Sequence, residues 1–126
     1  MNPNSKAFLW AGRILTALPI LIFAMSAAMK LSADAKFMSQ WAGFGFKPEQ
    51  ATTIGILELL CVIVYAIPRT ASLGAVLLTG YLGGAVVTHL RSGEPVFAPV
   101  LIGAIVWGGL YFRDARVRDL LPLRKA

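Results

Sequence analysis

The stretch ATTIGILELLCVIVYAIPRTASLGAVLLTGYLGGAVVTHLR, residues 51–91, decides the fold. Ala51 to Ile67 is an apolar run with one carboxylate, Glu58, near its middle. Pro68-Arg69-Thr70 interrupts it, and a second apolar run follows from Ala71 to Leu90. Roughly 20 apolar residues take a helix across a bilayer, so each run predicts a membrane-spanning helix. The connection is so short that the two helices must be antiparallel neighbours. Glu58 lies seven residues beyond Ala51, about 10 Å below the outer surface at roughly 1.5 Å per residue. An ionisable group at that depth is costly and usually functional.

The rest of the chain extends this pattern. Of 126 residues, 57% are hydrophobic and 14% charged, and the mean hydropathy is +0.70. A soluble domain would be nearer a quarter charged, so the surplus apolar surface must face lipid or other helices. One domain over residues 1–126 is expected. Helices are expected over about 8–29, 51–67, 71–90 and 96–112, which makes an all-α, antiparallel bundle of four transmembrane helices. The net charge of +6 comes from basic residues flanking apolar runs, which suits anionic lipid headgroups and not nucleic acid. Ala24-Met25-Ser26-Ala27-Ala28 resembles a signal-peptidase site. Arg13 would make the charged leader long, so this segment is read as a true membrane helix.

Pro19 predicts a kink in the first span, with Thr16 or a neighbouring helix satisfying the carbonyl it frees. Between the first two spans, Phe37, Trp41 and Phe44 fall on one helical face. Ser32–Trp41 therefore reads as a short amphipathic helix lying in the interface, with an aromatic-rich loop at headgroup level as the alternative. Gly80, Gly84 and Thr88 repeat at four-residue spacing, as do Ala104 and Gly108. Such stripes let helix backbones approach closely. Residues 113–126 read as a polar tail.

Four spans place both termini and the 68–72 turn on one side. That side carries Lys6, Arg13, Arg69, Arg113, Arg116, Arg118, Arg124 and Lys125, eight cations against Lys30, Lys36, Lys47 and Arg91 on the other. The positive-inside rule then puts both termini in the cytoplasm.

Glu58 needs a cation or a proton. Two cations are within reach: Arg13, about 7 Å deep from the cytoplasmic side, and Lys30 at the outer end of the same helix. Arg13 also has a plainer reading, snorkelling to the headgroups. His89, on a stripe with Tyr81 and Ala85, lies on the same leaflet side as Glu58 and Lys30. Together these three would line a cavity that opens outward, and a histidine would make it respond to pH near neutrality. The competing reading is a buried ion pair that only fixes helix register. One histidine and one cysteine, Cys61, supply no metal site, haem-ligand pair or redox dithiol. No glycine-rich phosphate loop and no Ser-His-Asp set is present, so catalysis by this chain alone has no support.

Gly55-Ile-Leu-Glu58-Leu, then Tyr65-Ala-Ile-Pro-Arg-Thr-Ala71, and above all the Leu73–Arg91 block resemble the DoxX-like family of small membrane proteins. Ser26-Ala-Ala-Met-Lys30-Leu resembles the family's first-helix ending, and Trp107-Gly-Gly-Leu-Tyr-Phe-Arg113-Asp its last. The resemblance implies a four-helix bundle in the bacterial cytoplasmic membrane. It also implies relatives that act as a subunit of a thiosulfate:quinone oxidoreductase, in maturing methylamine dehydrogenase, or as assembly factors. A role in disulfide chemistry would need paired cysteines. The expected function is an accessory role in membrane redox or stress physiology, with Glu58, Lys30, His89 and Arg13 around a quinone or lipid. The alternatives are a chaperone for another membrane protein, or an oligomeric small-solute transporter.

Overall fold

The computed structural model describes residues 2–124, which form helices and turns with no strand among the described residues. The elements are α1 (Lys6–Ser32), α2 (Ala35–Gly43), α3 (Pro48–Ala66), a 3₁₀ turn (Pro68–Thr70), α4 (Ala71–Arg91), α5 (Phe97–Arg113) and α6 (Ala115–Leu120). Lys125, counted above among the terminal-side cations, lies outside the described residues.

Three segments are long and apolar enough to cross a membrane: α1, α3, and the 3₁₀ turn continuous with α4. The fourth, α5, has 17 residues. At 1.5 Å per residue it is about 26 Å long, at the lower limit for a bilayer core of roughly 30 Å.

Local chemistry sets the ends. Ser5 Oγ accepts from the Phe8 N–H at 3.1 Å, so α1 starts at Lys6, two residues before the expected start. Its C-cap, Ala33, adopts a left-handed conformation (φ 54°). The short helix begins later than Ser32, because Ser32 still belongs to α1 and Asp34 Oδ2 caps α2 by accepting from the Phe37 N–H at 3.1 Å. Pro48 takes the first position of α3, where a missing N–H leaves nothing unpaired. The tail also differs from expectation, since Asp114 caps the short helix α6. Six residues are too few to carry a periodic signal. α1 runs as one helix through Pro19. The carbonyl freed by Pro19 is that of Leu15, whereas the Thr16 hydroxyl donates to the Gly12 carbonyl at 2.7 Å.

The four long helices close a ring in which α1 packs on α3 and α5, and α4 packs on the same two. Each helix buries one narrow stripe. On α1 it is Phe8, Gly12, Thr16, Pro19, Phe23, Ala27 and Lys30. On α3 it is Ala51, Gly55, Glu58, Val62 and Tyr65. Steps of three and four keep these residues on one face of a helix. The opposite faces remain apolar and exposed: Leu21 is 60% and Met25 65% exposed on α1, Val76 57% on α4 and Leu101 56% on α5. Water would penalise so continuous an apolar coat, which suits lipid instead.

Small residues and one tyrosine set the spacing inside. Gly12 faces Phe112 and Arg113, and Gly55 faces Lys30 and Leu31. Gly109 faces Thr16 and the Tyr65 hydroxyl, and Gly74 lies directly on the Tyr65 backbone. Tyr65 is completely buried, and its hydroxyl donates to the Val106 carbonyl at 2.8 Å, tying α3 to α5. Tyr65→Phe keeps the ring and loses that bond. It should lower stability by about 1 kcal/mol in thermal unfolding of the detergent-solubilised protein, with the helical content unchanged.

Candidate functional site: a buried ion pair beside an aromatic cavity

Lys30 occupies the last buried step of α1 and Glu58 the middle step of α3. Gly55 lets the helices come together, since a side chain there would press on the Lys30 stem. Lys30 Nζ then lies 3.0 Å from Glu58 Oε1 and 2.6 Å from Ser26 Oγ. Lys30 is 7% exposed and Glu58 2%. Charges this deep must be paired and hydrogen-bonded to persist. The Tyr81 hydroxyl lies beside the same carboxylate, and its ring meets Phe23 edge-on with centroids 6.0 Å apart.

Lysine carries three donors. Glu58 and Ser26 take two, and among the described residues the third meets the Phe37 ring, whose centroid is 5.6 Å from Nζ. That side of Lys30 opens on a cavity of about 340 Å³ between α1, α2, α3 and α4. Phe37, Trp41, Phe44 and Phe46 line one side. Trp41 stacks between Phe37 and Phe46, at centroid distances of 5.8 and 4.5 Å. Its indole N–H donates to the Lys47 carbonyl at 3.0 Å, which fixes α2 to the start of α3. Tyr81, Ala85 and His89 line the α4 side.

His89 is half-buried with its ring 5.6 Å from Phe44. Its Nδ1 lies 2.7 Å from the Ala85 carbonyl. A carbonyl only accepts, so Nδ1 carries a hydrogen and Nε2 is the nitrogen left for a guest. The cavity thus offers an ammonium donor, a phenol and an imidazole in an otherwise apolar, aromatic chamber.

Several expected placements change. Glu58 stands behind Lys30 and does not itself line the cavity. Arg13 is exposed, with its guanidinium 5.1 Å over the Trp10 ring. It lies 17 positions from Lys30, about 25 Å along α1, one step off the buried stripe. Gly80, Gly84 and Thr88 line the cavity instead of a helix seam. A side-chain carbon built on Gly80 or Gly84 would meet nothing within 4 Å. Ala104 is exposed, and Gly108 makes only an ordinary approach, 3.6 Å, to Leu15. Sequence reasoning missed Ser26 as a lysine partner and the cavity-lining role of Phe46. The signal was the density of aromatics over residues 37–46, which a bilayer interface would also explain. Among the described residues no group of three or more metal-ligating side chains comes together.

Long apolar helices with lipid-facing coats and a paired charge inside them point to a helical membrane protein. The chain belongs to the DoxX-like family, whose model matches residues 14–109. No curated protein and no solved structure matches it.

Proposed function

We propose that the aromatic cavity binds a small amphipathic ligand, a quinone or a lipid, in an accessory role in membrane redox or stress physiology. In this reading α1, α3, α4 and α5 cross the bacterial cytoplasmic membrane as an antiparallel bundle. Both termini are cytoplasmic, and α2 lies in the outer interface. The observation that carries the reading is Lys30: two of its donors are held by Ser26 and Glu58, and the remaining one meets the cavity. A carbonyl or phosphate oxygen of the guest accepts from that ammonium. A hydroxyl on its far side reaches His89 Nε2, and the aromatics enclose the ring or chain. About 340 Å³ is at the small end for ligand pockets, which favours one ring with a short tail.

A short-chain quinone titrated against the protein in nanodiscs should quench Trp41 fluorescence. Glu58→Gln removes the charge that holds the ammonium in place and should weaken that binding by at least tenfold, with the circular dichroism spectrum unchanged. Unaltered affinity in that variant would refute the pocket.

A second reading, an assembly factor for another membrane protein, has one observation in its favour. Gly83 on α4 is exposed and meets no neighbouring helix, and small residues in that position accept a partner helix. Gly83→Leu separates the readings. It should abolish co-purification of a partner if the second is right, and leave quinone binding untouched if the first is.

A further inference from the structure

The opposite end of the bundle carries a second, polar depression of about 190 Å³. The 3₁₀ turn supplies Pro68 and Arg69, the start of α4 supplies Ser72, and the far side is Arg113, Asp114 and Arg116. Its only carboxylate is already occupied. Arg116 Nε lies 3.1 Å from Asp114 Oδ1, and a terminal nitrogen lies 3.1 Å from Oδ2. The Arg116 hydrogen bond holds the Asp114 carboxyl below the usual carboxylate range, so it remains an anion paired to that arginine. Three arginines less one aspartate leave the depression with a charge of about +2.

Arg69 and Arg113 are therefore left over. Neither takes part in a salt bridge among the described residues. Arg113 uses Nε on the Gly109 carbonyl at 3.3 Å, which leaves its two terminal nitrogens free of that bond. Ser72, whose side chain carries a hydroxyl, lines the same space. Two guanidinium forks and a hydroxyl around a small hollow match a tetrahedral oxyanion, because the forks bind phosphate oxygens in a bidentate manner.

We infer that the hollow between Arg69, Ser72 and Arg113 binds a phosphate-bearing anion, either free phosphate or the headgroup of an anionic lipid. This site stands apart from the aromatic cavity and does not depend on that cavity's ligand.

Two titrations of the detergent-solubilised full chain test it. One uses inorganic phosphate at constant ionic strength, read by calorimetry. The other counts phosphatidylglycerol molecules retained in native mass spectrometry. Binding in the first assigns free phosphate; binding in the second alone assigns the lipid headgroup. In whichever arm binds, Arg69→Gln and Arg113→Gln should each weaken affinity by about tenfold or more. Arg118→Gln should change it less than about threefold, because Arg118 is engaged by the Tyr111 carbonyl at 2.7 Å and the Phe8 ring. Arg69 is exposed on a turn, so its variant keeps the fold even if that of Arg113 does not. No binding in either arm, or equal binding by wild type and Arg69→Gln, would overturn the inference.

Discussion

Lys30→Met should destabilise the protein by about 3–5 kcal/mol in reversible unfolding from mixed micelles. The loss comes mostly from what remains. Glu58 is almost completely enclosed, its short side chain sits nearly three turns into α3, and without Lys30 its charge has no counterpart among the described residues. Glu58→Gln should cost less than half as much. Lys30 stands in the last turn of α1, and its long stem can swing the ammonium to the headgroups. The double variant Lys30→Met/Glu58→Leu, which replaces both charges by apolar groups of similar size, should recover most of the stability. Additive losses in the double variant would mean that the two groups do not act as a pair.

Gly74→Ala should be the most damaging single methyl in the chain, about 3 kcal/mol or more, and it should lower the yield of folded protein. The added carbon would be forced into the Tyr65 backbone. A flexible side chain could yield, but a helix backbone cannot, and the three-residue turn Pro68–Thr70 gives α3 and α4 no slack to separate. The matched control is Gly80→Ala, where the new carbon meets nothing within 4 Å. That change should be neutral or stabilising by up to about 1 kcal/mol through helix propensity. Thermal unfolding of the two variants side by side checks the contrast. Equal losses would show that the seam between α3 and α4 is looser than the packing of Tyr65 implies.

This contrast also marks where the sequence was readable. The runs around residues 51–91 declare their helices because length and hydropathy are averaged over many residues. Lys30 was legible as a partner for Glu58 because it closes α1 at the end of the bundle nearer Glu58. Arg13 looked equivalent by charge, yet its position along α1 is decided by rise per residue, and its exposure by a rotation of 100° off the buried stripe. The glycines show the same limit more sharply. Four-residue spacing selected Gly80 and Gly84, whereas the close approaches are at Gly12, Gly55, Gly74 and Gly109. Spacing says which small residues share a face, not which face turns inward. The cavity was hidden for another reason. Trp41 ties α2 to Lys47 across only six residues, but Phe37, Trp41, Phe44 and Phe46 line a cavity because they meet Tyr81 and His89 on α4, far along the sequence.

The single buried stripe on each long helix has an outcome for how this chain tolerates change through descent. On α1, Leu21 and Met25 answer only to the oiliness of their surroundings, so any greasy substitute will serve and such positions are free to drift. Gly12, Thr16, Pro19 and Lys30 answer to particular neighbours and are not. Sequences inherited from a common ancestor should therefore agree in a helical barber-pole of roughly one residue per turn and diverge almost everywhere between.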